Sequence, residues 1–428
     1  MFTKKTVRDI DLHGKTVLLR ADYNVPVDTN GKISDGYRIN QSLQTLKYLQ
    51  SQKCKIVICS HLGRPKSPTD PACSLRPVAK KLTSLLKTPV TFVEDCVGAK
   101  AETAVKNMKQ GDIVLLENLR YHPEEETNDP TFAKQLASLA EVFVQDGFGV
   151  VHRAHASTDA VTKYIPSVAG LLLAQEVDVI TNAMSKPERP LMAVIGGAKI
   201  ADKIGVLNRF IDIADVLVVG GAMANTFLLA KGLPIGKSKA EKEDIHLAQD
   251  IMKRAHIAAK QRNFVFYLPQ DGVVAKKVDP KTTTRIVDWD AHVIADIEQY
   301  PRKPSARASK VEESEFILDI GPFSSAFISG AMQLCKTVIW NGSLGVTEIP
   351  AIHNPIGPFA HGTEQLVDAM LGSHGNRPFS IVGGGDTVGY IENRQLTENF
   401  NHVSTGGGAS LELMSGKRLP GVEALANK

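Results

Sequence analysis

The stretch IVGGGDTVGY, residues 381–390, runs from apolar residues into three glycines and then into an aspartate and a threonine. An apolar run that ends in glycine is how a parallel strand hands over to a helix, and the first amides of that helix offer an anion unpaired donors and a positive dipole. Read alone, the glycines are first of all a tight turn. The rest of the chain decides between turn and phosphate cradle.

The same pattern recurs outward from this point. Short β-branched runs, KTVLLR, KIVICS, DIVLLE and EVFVQD, fall in the first half, and PLMAVI, DVLVVG, NFVFYL, TVIWNG and PFSIVG in the second. Between them, residues 76–87 place Val78, Leu82 and Leu85 at helical spacing, and residues 129–140 open on Asp129-Pro130 and stack Phe132, Leu136 and Leu139. Strands alternating with amphipathic helices predict an α/β protein of doubly wound parallel sheets. With 428 residues, 43% of them hydrophobic, the chain exceeds one ordinary core, and two domains are expected. The stretch 165–190, helical at its centre and ending near Pro187 and Pro190, reads as the junction. The polar, proline-bearing stretch 295–315 reads as an exposed loop.

Composition excludes several classes. The longest apolar runs, such as VVGGAMA and AGLLLA, are far short of the roughly 20 residues that span a bilayer, and the N-terminus MFTKKTVRDIDLHGK lacks the apolar core of a secretory signal, so cytoplasm is expected. Five scattered cysteines supply neither a disulfide framework nor a C-x-x-C pair. A formal net charge of +4 comes without a basic stripe for nucleic acid. A small anionic substrate fits better.

In doubly wound sheets ligands bind beyond the carboxyl ends of the strands. Here the run-ends of the first half, RADYNVP, SHLGRP, ENLRYH and QDGFGVVHRAH, are rich in Arg, His, Asn and Asp, whereas those of the second half, GGAK, GGAM, PQDG, LDIGP, NGS and GGGDT, are rich in glycine. Charged forks suit a small phosphorylated acid, and bare backbone lets a nucleotide and its phosphates approach the main chain. Arg20 reads as lying inside a strand, but Arg38, Arg64, Arg120 and Arg153 fall in loops or strand exits. With His61, His152, Asp22 and Asn24 they would form a basin for a phosphate, a carboxylate and a hydroxyl together. GLPIGKS at 232–238 is one residue short of a P-loop, and no G-x-G-x-x-G with a following acidic residue supports a nicotinamide enzyme.

The motifs RADYNVP, SHLGRP, LLENLRYHPEEE, GGAKIADKI, IWNGSLGVTE, GGGDT and STGGGASLELMSGKRLPGVEAL follow one another as in the phosphoglycerate kinase family, which the chain resembles from about residue 6 to its end. The resemblance implies a monomeric, hinge-closing kinase of glycolysis that passes the acyl phosphate of 1,3-bisphosphoglycerate to Mg-ADP. It implies an N-terminal substrate domain over 1–168 with 405–428 packed back onto it, an interdomain helix and hinge over 169–189, and a nucleotide domain over 190–404. Substrate contacts carry over to Asp22, Tyr23, Asn24, Arg38, His61, Leu62, Gly63, Arg64, Arg120 and Arg153. Nucleotide contacts carry over to Gly197, Ala198, Lys199, Lys203, Gly221, Gly321, Asn341, Glu348, Gly384, Gly385, Asp386 and Thr387, with Asp386 on Mg²⁺. Catalysis would fall to Arg38, Lys199, Gly385 and Gly407. A non-catalytic sensor on the same fold is the alternative. The chain departs from the family at Gly147, Ser343, Thr347 and Val388, where alanine, proline, phenylalanine and alanine are expected.

Overall fold

The apolar runs form strands that pair in parallel, as their burial on both faces requires. The computed structural model describes residues 2–28, 31–289, 310–350, 352, 356–373 and 375–428. Contacts divide the chain into two units, Met1–Asn182 with Thr405–Lys428, and Ala183–Ser404.

The first unit holds strands β1 (Thr16–Arg20), β2 (Lys55–Cys59), β3 (Val90–Val93), β4 (Ile113–Leu116), β5 (Val142–Gln145) and β6 (Ser167–Ala169). They lie in the order β3-β4-β2-β1-β5-β6, every pair parallel. Successive residues Val17, Leu18 and Leu19 of β1 are all inaccessible, so neither face of the central strand meets water. The two helices expected from spacing span Arg76–Leu86 and Pro130–Ala137. Val78 and Leu82 enter the core and Leu85 packs on it. Asp129 caps the second helix, its Oδ1 accepting from Phe132 N at 2.8 Å. The final segment belongs here: Thr405 donates from N and Oγ1, at 2.6 and 2.8 Å, to Oε1 of buried Glu176 on helix Leu171–Ser185.

The second unit holds β7 (Leu191–Ile195), β8 (Val216–Val219), β9 (Val265–Tyr267), β10 (Asp271–Ala275), β11 (Thr284–Asp288), β12 (Phe316–Ile320), β13 (Thr337–Asn341), β14 (Phe379–Gly383) and β15 (His402–Val403). Its main sheet runs β15-β14-β13-β7-β8-β9, all parallel, which is the dinucleotide-fold order with its reversal between β7 and β13. The three-stranded antiparallel sheet β11-β10-β12 is an addition that the sequence did not announce. The loop expected over 295–315 lies, through residue 309, outside the described residues. Its end is not free surface: Val311 and Glu315 are buried, and Arg285 Nε donates to Glu315 Oε1 at 2.8 Å.

Two helices of this unit take their caps from strands distant in sequence. Asp271 on β10 accepts from Phe323 N and Ser324 N, at 2.9 and 2.8 Å, at the start of helix Pro322–Met332. Asp319 on β12 accepts from Gly362 N at 2.9 Å, at the start of helix His361–Met370. Asp271→Ala takes this acceptor from the Phe323 and Ser324 amides, and should cost about 1–3 kcal/mol in urea unfolding, with Asp271→Asn recovering part of it. Equal loss for both substitutions would show that the carboxylate does not act as a cap.

Candidate functional site

At the carboxyl edge of the first sheet, the exits of the four adjacent strands β4, β2, β1 and β5 lie side by side. The β1 exit supplies Arg20, Asp22 and Asn24, that of β2 supplies His61 and Arg64, that of β4 supplies Arg120, and that of β5 supplies His152 and Arg153. Arg38 is not in a loop, as its sequence context suggested, but in the first turn of helix Tyr37–Ser51. Its Nη1 donates to Asn24 O at 2.9 Å and lies 3.3 Å from Asp22 Oδ2, so the helix start is clamped to the β1 exit. Asn24 Oδ1 accepts from Gly63 N at 2.9 Å, and Arg120 Nη1 donates to Gly63 O at 2.8 Å, so the β2 exit is held from both sides. Arg120 also pairs with Glu126 at 2.9 Å, Arg153 Nε donates to His152 Nε2 at 3.2 Å, and Arg64 is exposed.

Arg20, which the sequence placed inside a strand, belongs to this cluster. It is 1% exposed. Its Nε donates to Ser157 Oγ at 2.7 Å, it donates to Ala21 O, and its Nη2 stands 3.8 Å from Glu125 Oε1 and 3.5 Å from His61 Nδ1. Burial, and then the cations Arg20, Arg120, Arg38 and Arg153, hold the His61 imidazole well below its ordinary pKa. His61 is therefore neutral, with its Nδ1 lone pair toward Arg20, among arginines that supply the charge. Tyr23 and Leu62 stand in the same exits but point their side chains inward. The Tyr23 hydroxyl meets Ser42 Oγ at 3.0 Å in the core, and the Leu62 backbone bonds to the Asn118 amide. At Gly147 an added Cβ would meet Ala21 C at 3.2 Å and Asp22 N at 3.3 Å, so the smaller residue relieves a tight contact under the basin.

In the second unit the exits of β14, β13, β7 and β8 are likewise adjacent. Here backbones touch. A Cβ on Gly342, whose φ is +100°, would fall 2.4 Å from Gly196 C, so the segments leaving β13 and β7 can cross only as glycines. Partly buried Lys203 ties the crossing, its Nζ donating to Gly196 O at 2.6 Å, Asn341 O at 3.1 Å and Asn341 Oδ1 at 2.8 Å. Burial lowers this amine to about 8, against the nearby carboxylates of Asp386 and Asp202. Thr387 Oγ1 accepts from Gly342 N at 2.8 Å and pins the helix Gly385–Asn393 to the β13 exit. Gly384 has φ +95° as the residue before that helix, while a Cβ on Gly385 would meet open space. Asn341 Nδ2 is buried with no acceptor among the described residues.

A cleft of about 280 Å³ opens beside this crossing, with Gly197, Ala198, Gly221, Glu348 and Asp386 on its polar side. Leu344, Val346, Pro269 and Trp289, none of which the sequence reading selected, form an apolar wall. Only the folded chain brings them together. Lys199 is half-exposed and 3.6 Å from Glu241 Oε1. Gly321 is buried against Asp271, where a Cβ would fall 2.2 Å from Asp271 Cγ, which gives this glycine a packing role. Gly407 opens helix Gly407–Met414 in the first unit, the same unit as the arginine basin.

A basin of arginines on one sheet and a glycine-lined cleft on a dinucleotide-type sheet define a two-unit α/β phosphotransferase. The family model for phosphoglycerate kinase matches residues 7–417, and the chain belongs to that family. Phosphoglycerate kinase of Dictyoglomus turgidum is 45% identical over 428 residues, covering 99% of this chain and 100% of the relative. That of Moorella thermoacetica is 43% identical over 425 residues, with 99% and 100% covered. Among solved structures, phosphoglycerate kinase from Coxiella burnetii superposes with TM-score 0.78 at 36% identity over 98% of each chain. That from Pyrococcus horikoshii superposes with TM-score 0.80 at 28% identity over 99% of this chain and 98% of its own. The chain is thus a kinase of glycolysis, and the sensor alternative is not favoured.

One consequence of the basin is visible without substrate. His155, 3.9 Å from Glu125 Oε1, is lowered from 6.5 to about 4 by burial and by the Arg20 cation. It is neutral when folded and free to protonate when unfolded, so below pH about 6.5 the unfolded state binds more protons. The stabilisation is complete above that value and is lost as pH falls toward about 4. His155→Gln should therefore flatten the acid limb of the stability profile, by on the order of 2 kcal/mol across the window, in urea titrations at stepped pH. An unchanged slope would mean that another group carries the limb.

Proposed function

We propose that the arginine basin holds 3-phosphoglycerate or 1,3-bisphosphoglycerate and that the glycine-lined cleft holds ADP or ATP. The carrying observation is the neutral His61 set among Arg20, Arg38, Arg120 and Arg153, a basin that concentrates cationic donors for a doubly anionic acid and keeps one uncharged donor for a hydroxyl. Arg64, exposed at the rim, adds a further fork.

In the forward reaction an oxygen of the ADP β-phosphate attacks the phosphorus of the acyl phosphate, the bond to the acyl oxygen breaks, and that oxygen leaves as the carboxylate of 3-phosphoglycerate. No proton must move, so no general base is needed and catalysis reduces to position and charge. Arg38 and Lys199 flank the transferring group, and the amides of Gly385 and Gly407, each first in its helix, add fixed donors. The apolar wall with Leu344 and Trp289 takes the base, and Glu348 the ribose. Asp386 is an exposed carboxylate in the first turn of its helix and lines the cleft, a hard donor of the kind that suits Mg²⁺ when phosphate oxygens complete the shell. Bound there, Mg²⁺ would neutralise nucleotide phosphate charge. The enzyme would act as a cytoplasmic monomer whose domains close about a hinge to exclude water. Among the described residues no helix is long and apolar enough to cross a membrane.

A coupled assay of ATP-dependent 3-phosphoglycerate phosphorylation, with and without Mg²⁺, tests the reading as a whole. Lys199→Ala should lower kcat by about 10²-fold or more while 3-phosphoglycerate binding is kept. A parallel loss in both would remove Lys199 from the transfer step. Arg64→Ala should raise KM for 3-phosphoglycerate by about tenfold and leave ADP affinity as it was, whereas weakened ADP binding would place Arg64 at the other ligand.

A further inference from the structure

Outside the basin, the turns that follow β3 and β4 bring together three side chains of metal-ligating type that phosphoryl transfer does not use. Asp95, Cys96 and His122 each present one donor atom, and the three atoms lie within 4.8 Å of one another. His122 Nε2 is 2.8 Å from Asp95 Oδ1. The group is held in place: the imidazole stacks on Phe132 with centroids 5.2 Å apart, and Cys96 N donates to Asp95 Oδ1 at 2.7 Å. Cys96 is 1% exposed, while the side chains of His122 and Asp95 keep 30% and 40% of their surface. The sulfur thus forms the floor and the nitrogen and oxygen form the open rim, which leaves an ion a route inward.

We propose that Asp95, Cys96 and His122 form a Zn²⁺-binding site with its fourth position open to water. One imidazole nitrogen, one carboxylate oxygen and one thiolate are the donor types that zinc accepts in tetrahedral array, whereas a thiolate disfavours Mg²⁺ and Ca²⁺. Bonds of about 2.0–2.3 Å to a tetrahedral ion set donor atoms roughly 3.3–3.8 Å apart, so side-chain rotations of about 1 Å suffice, the 2.8 Å Asp95–His122 pair opening and the wider separations closing. On binding, Cys96 releases its thiol proton to solvent. His122 gives the lone pair of Nε2 to the ion with its proton at Nδ1, and its hydrogen bond to Asp95 is exchanged for the shared metal. None of the three donors is a residue of the arginine basin, although Glu125, which stands 3.8 Å from Arg20, also acts on the Cys96 thiol.

Cobalt(II) is the probe, because a thiolate ligand gives it a near-ultraviolet charge-transfer band and tetrahedral geometry gives it strong visible bands. The full-length chain, reduced and freed of metal, should bind one equivalent with both signatures, and Zn²⁺ should bleach them. Cys96→Ser should abolish the charge-transfer band, and His122→Asn, at a partly exposed position and checked for folding by its urea midpoint, should weaken binding by on the order of tenfold or more. Cys335→Ser, in the other unit, should change neither. Absence of stoichiometric binding would reduce the cluster to a hydrogen-bonded Asp95–His122 pair beside a buried thiol, and a band that survives Cys96→Ser would place the metal elsewhere. Either result overturns the proposal.

Discussion

Each unit holds one cation among protein acceptors where its central strands end, inaccessible in the first and partly buried in the second, and the local structure is arranged to satisfy that charge. In the first unit the cation is Arg20 at the end of β1, inaccessible to water and met by a carbonyl, a hydroxyl, a carboxylate and an imidazole. In the second it is Lys203, whose three bonds reach both sides of the β7–β13 reversal. A buried charge without partners costs several kcal/mol, so these bonds fix the course of the loops that leave the strands. Ser157, Glu125 and His61 are held where Arg20 needs them. Gly196 and Asn341 are held where Lys203 needs them.

The two cations differ in what they leave for a ligand. Arg20 spends its donors on protein, while burial first, and then Arg20, Arg120, Arg38 and Arg153, keep His61 neutral. Lys203 instead shares an amine lowered to about 8 among carbonyl oxygens. Its proton is therefore held less firmly than that of an ordinary lysine. The basin draws its charge from several arginines, whereas beside the cleft Lys203 acts together with the amides at helix starts.

Much of this was legible in the sequence because strand exits in doubly wound sheets carry the ligands, and the exits here differ in kind. Arginine, histidine and asparagine after β1, β2, β4 and β5, and glycine after β7, β8, β13 and β14, follow from reading a few residues past each apolar run. Arg20 was not legible. A strand pattern gives no sign that its last residue is a buried cation, and its partner Ser157 is 137 residues away. Tyr23 and Leu62 lie in the same exits, but their side chains pack into the core, which a motif cannot show. The apolar wall of the cleft was missed for a related reason. Pro269, Trp289 and Leu344 come from segments far apart in sequence that line one cleft only in the folded chain, which no local pattern announces.

The glycines of 381–390 divide accordingly. Gly384 takes a φ of +95° that a side chain would resist, so it serves the turn whatever binds nearby. Gly385 faces open space and has no packing reason to lack a side chain. Thr387, an expected phosphate contact, accepts from Gly342 N at its hydroxyl oxygen, keeps its hydroxyl proton to donate, and anchors the helix to the neighbouring strand exit. Asp386 between them remains exposed at the cleft. A motif of five residues therefore combines a turn, an anchor and two positions left open to a ligand, and the physical test that separates them is which atoms already have partners.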